Sequence, residues 1–390
     1  MNNQQKTVTT ETPRHPDRLS FLDCIRGVAA LAVLVEHIGA LLWPRFHVFV
    51  HNSFNFGKFG VAAFFLTSGF VIPFSLERGN SLPKFWISRF FRLYPLYWLS
   101  LTMVVCLFLL GVPHGFGPDF SSHLARNVLV NVTMFQQFVG IPHAEGLYYT
   151  LSMEMALYVF LSILFFRKRN HLSLLIAWVA SAALAAVGIL IPLLAQKRIP
   201  MAGLFYFLCF FVGTCVYRHF TGHVSANALV GLLTFVSVST FAEIYCNYVV
   251  VKKEDVNELF TLWAVLLPWS AAYCVFLLAY FFRAHKFPTV FVWLGAISYS
   301  VYLFHPAVAR IVFLVPLPPV FSFLAVLAAA ILTATVTYRF VEQPFIRFGK
   351  KLQNHITNAR SPVPAGSGDL APRFPLTYFQ SEAPKAEMPK

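Results

Sequence analysis

The sequence predicts an all-α fold: a polytopic membrane helix bundle of about ten transmembrane helices, with both termini in the cytoplasm. Three observations lead there. Hydrophobic residues make up 57% of the chain and Asp, Glu, Lys and Arg only 12%, about half the charged share of an ordinary soluble domain. Mean hydropathy is +0.65, and Phe dominates the aromatics, 43 against 15 Tyr and 7 Trp, which suits a surface facing lipid. Apolar runs near the ~20 residues needed to cross a bilayer recur along the chain, separated by short basic loops.

In chain order, the spans are expected at 19–42, 59–76, 93–113, 147–166, 172–194, 200–217, 226–248, 259–282, 291–314 and 319–340. The first 18 residues are polar and basic, and the run after them holds Arg26 and Glu36. That is a poor signal-peptide core, so an uncleaved first span is expected. The segment 123–139 ("HLARNVLVNVTMFQQFV") is read as interfacial or re-entrant. Counting it as a span would send the basic cluster 167–171 ("RKRNH") outside. With it left out, cytoplasmic segments carry more than twice the Lys and Arg of the outer ones, as the positive-inside rule asks. The organisation is then a cytoplasmic tail at 1–18, a membrane domain at 19–345, and a cytoplasmic, disordered tail at 346–390. The tail is assigned on its Pro, Gly and Ser content.

The net charge of +14 does not indicate nucleic acid, because the basic residues are scattered through loops with no aromatic-interleaved patch. The six cysteines form no CxxC pair, so neither a disulfide framework nor a metal site is expected. No pair of matching broken helices suggests the inverted repeat of a transporter.

Against this apolar background, a few polar groups stand out. A charge at the centre of a membrane helix costs about 2.5–3.5 kcal/mol on insertion scales and marks a site or pathway. Arg26 and His37 fall eleven positions apart in the first span, nearly on one face and some 16 Å apart along the axis. Glu154 in "GLYYTLSMEMALYVF" and His305 in "SYSVYLFHPAVAR" are expected in the outer half of their helices, at the depth of His37. These three side chains form either a polar cluster that only holds the bundle together or a catalytic layer, since a His–carboxylate pair in a dry site is a competent general base. On the cytoplasmic side, Arg89 and Arg92 share a face at the mouth of the third span. They serve there as snorkelling topology signals or, with Arg26, as a phosphate clamp. Ser68 and Gly69 lie midway along the second span, where small residues let helices approach or leave room for a thin chain.

Taken together, "FLDCIRGVAALAVLVEHI", "FGVAAFFLTSGFVI", "FWISRFFRLYPLYW", "YYTLSMEMALYVF", "SYSVYLFHP" and "YRFVEQPF" resemble, in this order, the membrane-bound acyltransferase family 3. Its members O-acylate surface polysaccharides, lipid-linked sugars, nodulation factors and macrolides. The resemblance covers about 19–345. It implies that the essential arginine and histidine fall on Arg26 and His37, the serine–glycine–phenylalanine motif on Ser68, Gly69 and Phe70, and the arginine pair on Arg89 and Arg92. The acidic residue falls on Glu154 and the late histidine on His305. Where the family often has Trp before its acidic motif, this chain has Tyr149.

The expected activity is an integral-membrane O-acyltransferase of the inner (plasma) membrane. It moves an acyl group, expected to be acetyl, from cytoplasmic acyl-CoA to a hydroxyl of an envelope or exopolysaccharide sugar. No tightly bound cofactor is expected, and acyl-CoA is a co-substrate. The catalytic candidates are His37, Glu154 and Ser68, with Glu154 polarising His37. Arg26, Arg89 and Arg92 are the donor-binding candidates, and His305, Tyr302 and Tyr149 orient the acceptor. Direct transfer and an acyl-Ser68 intermediate both remain open. Two other functions compete: acylation of a small hydroxylated acceptor such as an antibiotic sugar, and transport of lipid-linked sugars.

Overall fold

A computed structural model describes residues 19–112, 118–198, 202–251 and 261–359. Ten helices within them are long and apolar enough to cross a membrane. They are α1 (Ser20–Leu42), α2 (Phe56–Gly79), α3 (Leu82–Leu109), α4 (Tyr148–Phe166), α5 (Ser173–Ala195), α6 (Ala202–Phe220), α7 (Ala226–Tyr245), α8 (Leu262–Phe281), α9 (Thr289–Val312) and α10 (Pro319–Thr337). The ten expected spans match these helices one for one. The tail at 1–18 and residues 360–390 lie outside the described residues.

Local chemistry sets several helix ends. Asn55 Oδ1 accepts from Lys58 N at 2.7 Å to open α2, and Ser225 caps α7 in the same way. Side-chain acceptors at these positions satisfy amides that have no partner inside the helix. Asn80 closes α2 in the left-handed conformation at φ 41°.

The segment before α4 makes no span, as expected. Among its described residues only the short helices Pro118–Ser122 and Leu124–Asn131 and a single turn, Gln136–Val139, form there. Asparagines hold the chain in this folded-back shape. Asn127 Nδ2 donates to the carbonyls of Asp119 and Phe120, both at 3.1 Å. Asn131 donates to Pro142 O at 3.0 Å and accepts from Ala144 N at 3.0 Å.

Two boundaries differ from expectation. Helix α3 begins eleven residues before the expected 93, because Pro83 opens a helix whose aromatic residues recur at helical spacing through Arg89 and Arg92. Arg89 is therefore 7% exposed inside the bundle, not at an open mouth. Residues 346–359, placed above in an irregular tail, belong to the helix Gln343–Ala359. It continues α10 through a π-helical turn, Tyr338–Glu342, and docks on the start of α3. Gln353 Nε2 donates to Lys84 O at 2.6 Å, and the Phe348 ring meets Phe91 edge-on at 5.2 Å.

At the centre, α1 packs on α9 and α2, and α2 packs on α6. Glycine permits these crossings. A Cβ added to Gly69 would overlap the Phe210 carbonyl, and one added to Gly213 would overlap that of Leu66. With no apolar solvent difference between helix and lipid to drive association, such close backbone approach is a main source of packing energy. The same device joins α1 to α9, where Gly27 and Gly295 face each other's helices. Helix α2 is thereby the most enclosed span, and α5 the least.

Candidate active site

Helices α1, α2, α4 and α9 line a polar column through this centre. At one end, His37 Nδ1 lies 2.9 Å from His305 Nε2. His305 is fully buried, and its Nδ1 is 3.1 Å from the carbonyl of Val301. A carbonyl can only accept, so Nδ1 of His305 carries the proton and Nε2 is bare. His37 Nδ1–H must then donate to it, which leaves Nε2 of His37 as an unprotonated nitrogen. Pro306 supports this arrangement: having no N–H, it leaves the Tyr302 carbonyl beside His305 without its helical partner.

One turn down α9, Tyr302 sits with its ring 6.3 Å from that of His305. Its hydroxyl is 2.8 Å from Thr150 Oγ1 on α4. Below Tyr302 lies a cavity of ≈ 50 Å³, lined by Arg26, Phe64, Ser68, Thr150, Glu154 and Tyr302 among others. Within it Ser68 Oγ donates to Glu154 Oε1 at 3.2 Å, and Tyr158 OH donates to the same oxygen at 2.5 Å.

The far end is cationic. Arg92, Asp23 and Glu154 lie close enough to act on the charge of Arg26, and Arg92 and Glu154 on that of Arg89. Arg89 Nη2 donates to Ser75 Oγ at 2.8 Å, and its guanidinium lies over the rings of Phe85 and Tyr158 at 5.6 and 5.9 Å.

The structure thus brings the expected residues together in two groups, not one. His37 meets His305, whereas Glu154 bonds to Ser68 and Tyr158. The expectation that Glu154 shares the depth of His37 and polarises it is corrected. Helix rise is the reason. Thr150 takes the level of Tyr302, and Glu154, four residues on, sits about 6 Å further toward the arginines. Tyr149 joins neither group: it lies near Tyr302, hydrogen-bonded to Tyr206, with its ring 6.5 Å from His143.

Tyr158 and Thr150 were missed. Their spacing of four residues on either side of Glu154 was a usable signal, since i and i+4 share a helix face. Glu36 was noted but given no role. Its carboxylate receives Asn55 Nδ2 at 3.1 Å and the Gly57 amide at the start of α2, so it closes α1 onto that helix N-terminus.

A loop outside the spans flanks the His37 end. His143 lies between Gln136 Nε2 at 3.0 Å and Gln137 Oε1 at 2.6 Å, and burial lowers its pKa below the usual imidazole value. Glu145 pairs with Arg310 at 2.7 Å, yet burial outweighs that attraction and raises its carboxyl above the ordinary range. No group of three or more potential metal ligands occurs among the described residues.

Chemically, the column offers a bare imidazole nitrogen at one end, a narrow hydroxyl-lined passage, and guanidinium groups at the other. Comparison with known proteins agrees in kind. No solved structure matches the chain. It is 27% identical over 184 residues to acyltransferase MdmB of Streptomyces mycarofaciens, covering 46% of this chain and 47% of that protein. It is 36% identical over 107 residues to protein 2 in the picA locus of Rhizobium radiobacter, covering 25% of this chain and 52% of that protein. The chain thus spans about half the length of these curated relatives. The family profile described as an acyltransferase domain matches residues 19–339, nearly the whole described bundle, and the chain belongs to acyltransferase family 3, a family of membrane acyltransferases.

Proposed function

We propose that this acyltransferase moves an acetyl or similarly short acyl group from cytoplasmic acyl-CoA to a hydroxyl of an envelope glycan presented on the opposite side of the membrane. The observation that carries this reading is the column itself. A nitrogen base and a guanidinium, His37 and Arg26, stand on one helix about 16 Å apart, with a hydroxyl-lined cavity leading from Arg26 to Tyr302.

In this reading, the CoA phosphates dock on Arg26, Arg89 and Arg92, whose guanidinium forks match phosphate oxygens. The pantetheine arm threads past Ser68 and Thr150, bringing the thioester to His37. Nε2 of His37 takes the proton of the acceptor hydroxyl, and the oxygen attacks the thioester carbonyl carbon. The C–S bond breaks, the ester forms, and the CoA thiolate takes the proton back from the imidazolium. His305 accepts from His37 Nδ1–H throughout, so the imidazole stays oriented whether neutral or charged. Tyr302 packs beneath His305, and Tyr149 lines the acceptor side.

Ser68 does not carry the acyl group in this mechanism. Gly57 of α2 meets Glu36, the neighbour of His37, and Ser68 lies eleven residues further along α2, roughly 16 Å of helix, so an acyl-Ser68 would lie far from the base that activates the acceptor. Glu154 and Tyr158 instead fix the Ser68 hydroxyl against the passing arm.

The test is transfer of label from [acetyl-¹⁴C]acetyl-CoA into glycan by proteoliposomes holding the full chain, with NMR of surface glycans from a strain lacking it. Label in the glycan, lost in His37→Ala, together with missing O-acetyl signals in the deletion strain, supports the proposal. An unchanged glycan with an acetylated small product inside cells assigns the small-acceptor alternative. Glycan transport without acyl transfer overturns both.

A further inference from the structure

A second, larger cavity of ≈ 440 Å³ lies on the side of α3. Its wall is a stripe of Trp86, Phe90, Tyr94 and Trp98, spaced four residues apart on one helix face. The folded-back segment at Val132 and Thr133 and Met155 of α4 close it. The slot is built, not a gap left by loose packing. Trp98 Nε1 donates to Val132 O at 3.0 Å, Tyr94 OH to Thr133 O at 2.9 Å, and neighbouring Tyr97 OH to Asn131 O at 2.7 Å. Three aromatic side chains thus clamp three successive carbonyls. Their polar atoms are used up, and apolar ring surface is left to line the space.

We propose that this slot binds one acyl chain of an anionic phospholipid, with the lipid phosphate held at the Arg89 end. Length fits a single leaflet: twelve residues of helix give about 18 Å, against roughly 15 Å for half of a ~30 Å hydrocarbon core. The lining excludes a sugar, peptide or nucleotide, whose polar groups would lack partners along the stripe. Charge selects the headgroup. Arg89, the one charged residue bordering the slot among the described residues, is 7% exposed. Its Nη2 bonds to a neutral serine, and its Nε has no acceptor in hydrogen-bond geometry. Arg92 adds like charge nearby, while Glu154 is engaged with Ser68 and Tyr158. A lipid phosphate supplies the acceptor that Nε lacks, and Trp86, one turn nearer the helix start, takes the interfacial position favoured by tryptophan. The slot needs no particular acceptor or acyl group in the neighbouring column, but it shares Arg89 with the donor clamp proposed above, so lipid and CoA phosphate meet at one guanidinium.

The test is photo-cross-linking of the full chain in phosphatidylcholine vesicles that contain phosphatidylglycerol with a mid-chain diazirine, mapped by peptide mass spectrometry. Label is expected between residues 86 and 98 and around 132–155. An equal amount of diazirine-bearing phosphatidylcholine, whose own choline cation offsets its phosphate beside Arg89 and Arg92, should label these residues roughly tenfold less. Val132→Trp, which fills the slot, should abolish the labelling, and Arg89→Gln should remove the phosphatidylglycerol preference. Mapping the unmodified chain needs no variant to fold. Label spread evenly over all lipid-facing helices overturns the proposal, as does equal labelling by both lipids. Displacement by palmitoyl-CoA but not by added phosphatidylglycerol also overturns it, since the slot would then hold the acyl chain of a long donor.

Discussion

Nδ1 of His37 and Nε2 of His305, on helices brought together at Gly27 and Gly295, lie 2.9 Å apart. The bond from His305 to the Val301 carbonyl then determines which nitrogen of His37 is free. A base needs a defined tautomer, and here a second imidazole supplies it where many hydrolytic sites use a carboxylate.

His37→Ala is expected to lower kcat by about 10²–10⁴-fold, the usual contribution of a positioned general base. His305 acts through His37. His305→Leu should lower kcat and leave the KM for acyl-CoA unchanged, while His305→Gln, whose side-chain oxygen accepts from Nδ1–H, should recover part of the loss. Steady-state kinetics on both variants checks this. A loss in His305→Leu that glutamine does not relieve points to packing alone.

Arg26→Gln and Arg89→Gln should each raise the KM for acetyl-CoA by about 10–100-fold, the worth of a charge-assisted hydrogen bond. The same variants should leave the KM for S-acetyl-N-acetylcysteamine, which has no phosphates, unchanged. An equal rise for both donors would remove these residues from phosphate binding.

Ser68→Ala should retain acyl transfer within about tenfold of the unmodified enzyme, as loss of one hydrogen-bonding group predicts. Quench-flow on the unmodified enzyme should show no burst of CoA release ahead of product. A burst, or an acylated peptide containing Ser68, would replace direct transfer with the covalent route.

Gly69→Leu should destabilise the bundle, because the added side chain overlaps the Phe210 carbonyl where α2 crosses α6. The expected cost is at least the 1–3 kcal/mol of overpacking, read as a lower melting temperature in detergent. Gly79→Ala, where an added Cβ meets nothing, is the matched control and should melt like the unmodified chain.

The loop beside the His37 end should weaken in acid. Burial depresses the pKa of His143, and its neutral ring suits the bond from Gln136. Protonation is therefore less favourable folded than unfolded. The contribution to stability is present above the ordinary imidazole value near 6.5 and is lost as pH falls through that value toward the lower folded one. Glu145 runs the other way: its raised carboxyl contributes stability below the ordinary value near 4.3, lost as pH climbs through the folded one. Hydrogen exchange of residues 140–147 at pH 7 and pH 5.5, corrected for the intrinsic pH dependence of amide exchange, checks the first effect, and His143→Gln should remove the loss of protection on the acid side.

Much of this was legible in the chain. The ten spans followed from run length and charge, and the folded-back segment at 123–139 from its poor fit to loop charge. Arg26 and His37 could be paired from helical spacing alone, because both lie on one element. Partners on different helices could not. The sequence placed Glu154 with His37, but relative depth depends on where α4 starts against α9, and a shift of one turn sets Thr150 beside Tyr302 and leaves Glu154 with Ser68 and Tyr158. Arg89 was expected at an exposed mouth because its helix was begun eleven residues too late.

The first span shows the division most clearly. Composition and periodicity alone determined that Arg26, Glu36 and His37 would sit in a membrane helix at a cost that demanded compensation. Tertiary structure alone decided how each is compensated: Glu36 by Asn55 and the first amides of α2, His37 by His305, and Arg26 by a cavity it shares with Glu154. The physical reason is range. Hydrophobic periodicity is a property of neighbours along one helix, whereas the partner of a buried polar group is set by the register between helices, where a single turn changes which side chains can touch.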